Sequence, residues 1–173
     1  MSDTLITVVA VVLSAILMFV FPVMTMADRA DTVTQTDIQT LTSEFVNEIR
    51  VTGKLTPENY SKFIEQITST GNTYDVELEF KILDENPGKK SMQSSGDKIG
   101  ENVYYSVYTS QILEEIDQNK TYTLKEGDMV SVTIRNTNST LSQQLKGFIY
   151  ALAGSDTYKI AASQSGLVIK TSN

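Results

Sequence analysis

Hydrophobic and polar positions alternate along this chain in three distinct rhythms, and each predicts a different kind of element. Residues 5–27 read LITVVAVVLSAILMFVFPVMTMA and carry no charge. A bilayer core is roughly 30 Å thick and takes about 20 apolar residues of helix to cross, so this run predicts a transmembrane helix. The next stretch, DRADTVTQTDIQTLTSEFVNEIR, has no Gly or Pro before Gly53. Within it Ile38, Leu41, Phe45 and Ile49 recur at helical spacing with Val46 beside them, while Thr36, Asp37, Thr40, Ser43, Glu44 and Asn47 fall on the other side. That is an amphipathic helix with a single buried stripe. The two segments join without a stop signal and predict one helix, or two nearly collinear ones, over residues 4–50, roughly 70 Å long at 1.5 Å per residue. Pro22 sits near the join, where a proline removes one helical hydrogen bond and tends to bend the axis.

Beyond Gly53 the pattern shortens. Thr56-Pro57-Glu58 has the form of an N-cap, a first-turn proline and a first-turn acid, predicting a helix over 57–69 that buries Tyr60, Phe63, Ile64 and Ile67 and stops at Gly71. Residues 74–83, YDVELEFKIL, alternate strictly and predict a strand with one buried face. Residues 84–100 form a polar loop. Residues 103–108 predict a short strand and 110–117 a short helix. Residues 121–124 and 129–135 predict strands either side of a Lys125-Glu126-Gly127-Asp128 turn. A helix is expected over 140–153, and a closing hairpin with arms 158–163 and 167–171 about Gln164-Ser165-Gly166. The class is α+β: a long N-terminal helix, then a small head of mainly antiparallel sheet with packed helices. The divisions are 1–27 (transmembrane), 28–50 (amphipathic continuation) and 51–173 (soluble head).

Composition narrows the chemistry. Of the 21 acidic residues only Asp3 lies in the first 27, leaving about 146 residues with 20 acids against 14 bases. An acidic domain without a basic cluster has no electrostatic footprint for nucleic acid. The chain has no Cys and no His, which removes disulfides, thiolate sites, the usual general base and the commonest metal ligand. No cofactor and no small-molecule substrate is implied. Ser91-Met92 with Gly127-Asp128-Met129-Val130 has a loose likeness to the serine–lysine arrangement of membrane-anchored signal peptidases. The proline expected after Ser-Met is missing, however, and no lysine lies in an apolar run to be desolvated into a base. We therefore expect no enzyme. Tyr104, Tyr105 and Tyr108 read as sheet packing, with a binding strip as the rival, and Glu114, Glu115 and Asp117 as a solvated helix face.

The N-terminal tripeptide lacks a basic residue and the apolar core exceeds the roughly 7–15 residues of a signal peptide. An uncleaved anchor is the expectation, with the domain on the extracytoplasmic side. A helix that begins in the membrane, continues as an amphipathic rod and carries a small α+β head resembles the plan of pilins and pseudopilins. More narrowly, the anchor, the Gly127-Asp128-Met129-Val130-Ser131-Val132 strand, the Thr140-Leu141 helix and the AASQSGLV segment at 161–168 resemble minor-pilin-like components of tight-adherence-type pilus systems of Gram-positive bacteria. The resemblance implies a structural subunit or accessory component of a surface filament or secretion apparatus. Such a subunit meets its own kind, or other pilin-like subunits, through the N-terminal helix. Ala10, Ser14 and Ala15 would allow close helix approach, Pro22 would set a bend, and Asp3 would stand in for the glutamate that pilins carry near the start of the helix. Ile38, Leu41, Phe45 and Ile49 would pack helix to head. The family's basic leader is missing, and no Glu precedes position 44; both departures favour a minor, accessory or non-polymerising component. The alternative is a membrane-tethered extracytoplasmic binding or sensor domain, with the helix as a plain anchor.

Overall fold

A computed structural model describes residues 2–84, 104–150 and 160–169. Helix α1 (Ser2–Thr52) is unbroken over 51 residues and continues through Pro22, about 76 Å at helical rise. A two-residue strand β1 (Lys54–Leu55) follows, then α2 (Pro57–Thr68), whose N-cap Thr56 hydroxyl accepts the Asn59 N–H. Strand β2 (Tyr74–Leu83) has the bounds that its alternation predicts. Next come β3 (Tyr104–Tyr108), α3 (Thr109–Asp117), β4 (Tyr122–Thr123), β5 (Met129–Asn136), α4 (Leu141–Tyr150) and β6 (Ala161–Leu167). The expected polar loop falls, but for Asp84, outside the described residues, as do Ser91 and the last residues expected in α4.

The main sheet is antiparallel throughout, in the order β3-β2-β5-β6. Its register stacks Val76 on Ile134, Leu78 on Val132 and Phe80 on Val130. These apolar pairs line one face, where Ile38, Phe45, Val46 and Ile49 of α1 join Phe63 and Ile67 of α2 in a continuous core. The opposite face is polar. Arg135 pairs with Glu77 at 3.3 Å, and the Ser106 hydroxyl donates to Glu79 at 2.8 Å. An antiparallel sheet can leave one face wet in this way. Phe45 and Phe63 stack with centroids 4.0 Å apart and planes within 2°, locking α2 against α1.

Two expectations are corrected. The closing hairpin is a single strand: Gln164-Ser165-Gly166 lies inside β6, paired with Val132, Ser131 and Val130. Gly166 is there for closeness and not for turning. A Cβ at that position would come within 2.5 Å of the Arg50 Cδ and Nε, because the Arg50 side chain lies across it. The strands at 121–124 and 129–135 likewise do not pair with each other. β4 pairs with β1 instead, and the residues between them make a turn held by Asp128. One Asp128 oxygen accepts the Lys125 N–H at 2.7 Å and the other the Leu83 N–H at 2.9 Å. Gly127 takes φ +93°, open to glycine at little cost. Asp128 is thus a buried structural carboxylate.

Candidate functional site

Helix α1 has two territories with different surroundings. From residue 3 to residue 19 every position is exposed; Leu5 is 67 %, Met18 72 % and Phe19 68 % accessible. None of the most apolar window of the helix is buried, so nothing among the described residues covers it. Among the described residues, this one helix is long and apolar enough to cross a membrane. Ala10 and Ser14, one turn apart, and the adjoining Ala15 lie on this uncovered rod. Asp3 is the second described residue of α1, inside its first turn and not at the cap. An acid there is favoured by the positive end of the helix dipole. Pro22 is also exposed.

The second territory is the seat on the head. Ile38 and Ile49 are fully buried, Phe45 nearly so, and Leu41 half-buried. The seat is longer than this apolar stripe. Counting back from Ile49, residues 45, 42, 38, 35, 31 and 28 recur at alternating steps of four and three, one helical face, and its N-terminal members are polar. The Gln35 side-chain amide works like a strand residue at the end of β6. Its Nε2 donates to the Ala161 carbonyl at 2.5 Å and its Oε1 accepts the Ala161 N–H at 2.9 Å. At the other end the Arg50 Nε donates to the Leu167 carbonyl at 2.8 Å, while the Arg50 carbonyl accepts the Ile169 N–H at 3.0 Å. Fifteen helical residues rise about 22 Å, and six to eight strand residues span about 20–27 Å. Helix and strand therefore match in length between the two clamps. Thr42, buried between them, returns its hydroxyl proton to the Ile38 carbonyl at 2.5 Å.

Towards the N-terminal half of α1, α4 docks on it through a polar clasp. The Thr140 hydroxyl donates to Asp31 at 2.6 Å, Ser142 donates to Asp28, and Lys146 Nζ lies 2.6 Å from the same Asp28 carboxylate. The Lys146 ammonium, reinforced by the Ser142 hydroxyl, holds the Asp28 carboxyl below its ordinary value. Thr140 also caps α4, exchanging bonds with Gln143 in a capping box.

Among the described residues a cavity of about 380 Å³ lies at the β2–β3 end of the sheet. Tyr105, Tyr122, Lys125 and Asp128 are among its lining residues. Burial pushes the Tyr122 phenol up, and both Asp128 oxygens are already engaged. Contrary to the packing expectation, the Tyr104, Tyr105 and Tyr108 rings are exposed on edge strand β3. Glu114, Glu115 and Asp117 are exposed on α3. Among the described residues no group of three acidic side chains is placed to hold a metal ion.

Sequence reasoning did not single out Asp28, Asp31, Gln35 or Arg50 as seat residues. The signal was present in the continuing three–four spacing, with polar side chains in the places of apolar ones. Comparison with protein-family models, curated proteins and solved structures returns no match for this chain.

Proposed function

We propose that the chain is a pilin-like structural subunit or accessory component of a surface filament or secretion apparatus, stored in the membrane by the first half of α1 with its head on the extracytoplasmic side. One observation carries this reading: a single unbroken helix is bare and apolar for its first twenty or so residues and is then seated along a four-stranded antiparallel sheet. A bare apolar rod needs an apolar surrounding. Lipid supplies one and a bundle of like helices supplies another. Transfer between the two costs little hydrophobic free energy, so side-chain packing decides the outcome. The clamps at Gln35 and Arg50 suit this role, because a rod that pulls on a head must not peel away from it. In this reading Asp3, exposed in the first turn of α1, pairs with the terminal amine of a neighbouring copy once lipid or protein surrounds it.

The test compares two substitutions in the full-length chain. Leu13→Arg puts a charge at mid-span, costs about 2.5–3.5 kcal/mol of insertion, and should release the chain from membranes. Ala15→Leu keeps the span apolar, so membrane retention should be unchanged while assembly with like subunits is lost through steric crowding. Unchanged assembly with bulky residues at Ala10, Ser14 and Ala15 refutes the proposal. The second reading, a tethered binding domain, rests on the 380 Å³ cavity with its tyrosines and Lys125. It predicts that bulk at Tyr105 alters function while bulk at Ala15 does not.

A further inference from the structure

Between the membrane run and the apolar stripe of the seat, the amphipathicity of α1 is inverted. Residues 28–37 read DRADTVTQTD. Towards the head they turn Asp28, Asp31 and Gln35, which meet Lys146, Ser142, Thr140 and Ala161. The two apolar residues of the segment, Ala30 and Val33, are both exposed, Val33 at 56 %. Ala30 is two residues from Asp28, and Val33 is two from Asp31 and from Gln35, so each stands about 200° round the helix from the polar seat. A surface helix ordinarily buries its apolar side. Here the polar side is seated and the apolar side is bare.

A lone exposed apolar residue is unremarkable, but these two continue a line. Counting back from Val33 in alternating steps of three and four gives Ala30, Met26, Val23, Phe19 and Ile16, and the same alternation reaches Leu5. Every position on it is exposed, Met26 at 74 %. Within residues 5–27 the spacing selects little, because the whole run is uncharged; it selects at Ala30 and Val33, whose neighbours are charged or hydroxylated. From Leu5 to Val33 the ridge is about 42 Å long, against roughly 30 Å of bilayer core. Asp28, Arg29 and Asp31 keep their own turn out of the hydrocarbon. Lipid therefore covers the ridge as far as these charges and leaves Ala30 and Val33 beyond it.

We propose that this ridge is the seam along which two copies of the chain lie side by side and parallel, and that the seam runs out of the bilayer as far as Val33. The proposal rests on the membrane-stored reading above and deepens it, naming the partner, its direction and the face that meets it. Strict three–four spacing is that of a left-handed helix pair with knobs fitting into holes. Copies inserted in one membrane share direction and depth, so like residues meet across a two-fold axis: Met26 on Met26, Ala30 on Ala30, Val33 on Val33. The next position on the line is the exposed Asp37, where two copies bring like charges together and the seam ends.

The chain has no Cys, so single cysteines report without background. Met26→Cys, Ala30→Cys and Val33→Cys lie on the line, whereas Thr25→Cys and Thr32→Cys are exposed on another side of the helix. Each full-length variant is reconstituted in phosphatidylcholine vesicles, floated on a density gradient and oxidised by oxygen with copper phenanthroline, which joins two thiols in one disulfide and reduces the oxygen. The three line positions should form linked dimers about tenfold or more faster than the two threonine positions, because a held partner has a high effective concentration. Adding Val33→Glu should bring the Met26→Cys dimer down to the Thr32→Cys level while the head melts unchanged. If floated chains link at Ala30 and Val33 no faster than at the threonine positions, the seam is overturned and membrane storage stands. Rapid labelling of those cysteines by a water-soluble maleimide would then mean a bare helix, and protection would mean a cover other than a second copy. Linking at Met26 alone confines the contact to the bilayer and overturns the extension to Val33. If the chains do not float, the membrane-stored reading falls, and the seam with it.

Discussion

Replacing Gln35 by methionine tests whether α1 is held to the head by a specific clamp or merely by its apolar stripe. Methionine keeps the length and flexibility of the side chain and removes only the amide. Two hydrogen bonds to Ala161 are lost, at 2.5 and 2.9 Å. A neutral bond contributes about 1 kcal/mol net, and a freed group that stays buried costs more. Ala161 is exposed, so its N–H and carbonyl regain water and the larger penalty does not apply. The expected loss is therefore about 1–2 kcal/mol, the lower end for two bonds. For a domain of this size that lowers the melting temperature by roughly 2–8 °C. The assay is a thermal melt of the full-length chain in detergent micelles, followed by far-UV circular dichroism, with Gln39→Met as the reference. Gln39 lies one turn on, exposed, and its replacement should stay within about 0.5 kcal/mol. If Gln35→Met melts with Gln39→Met, the two bonds contribute nothing and the clamp is not what seats the rod.

Three further perturbations address the same seat. Phe45→Ala removes the ring stacked on Phe63 and should cost about 3–5 kcal/mol, read as a lower urea midpoint; a loss under about 1.5 kcal/mol would mean that α2 is not held through this pair. Gly166→Ala drives a Cβ to 2.5 Å from Arg50 and should displace the guanidinium from the Leu167 carbonyl at a cost of about 1–2 kcal/mol. Combined with Arg50→Ala its effect should be much less than additive, and full additivity would separate the two residues. Because Lys146 lowers the Asp28 carboxyl below 3.8, the stability this group contributes is present above that pH and fades as pH falls through the lowered value. The melting difference between the wild type and Asp28→Asn should then be constant from neutral pH to about pH 4 and shrink below it; a difference that grows on acidification would reverse the sign of the coupling.

Local rhythm made most of the fold legible. Residues 74–83 alternate without a fault and form β2 to the residue, and Thr56-Pro57-Glu58 opens α2 as its cap chemistry requires. The stripe through Ile38, Phe45 and Ile49 is buried for the same reason. The misreading at Gln164-Ser165-Gly166 came from the two uses of glycine: a residue that suits a turn also suits a strand crossed by a long side chain, and only Arg50, over 110 residues away, decides between them. The polar half of the seat was hidden for a related cause. Gln35 and Asp28 satisfy groups more than 100 residues distant, so no window of sequence around either shows why a polar side chain belongs there. The cavity under β2 and β3 draws on three separate segments and has no local signature at all.

The most direct test of the central claim is the state of the full-length chain after extraction in mild detergent, read by native mass and negative-stain imaging with and without Ala15→Leu. The account predicts rods or defined assemblies joined through the N-terminal half of α1, lost in the variant while its head still melts like the wild type. Assemblies that persist unchanged in Ala15→Leu would contradict it, because bulk at Ala15 would then leave the contact between rods undisturbed.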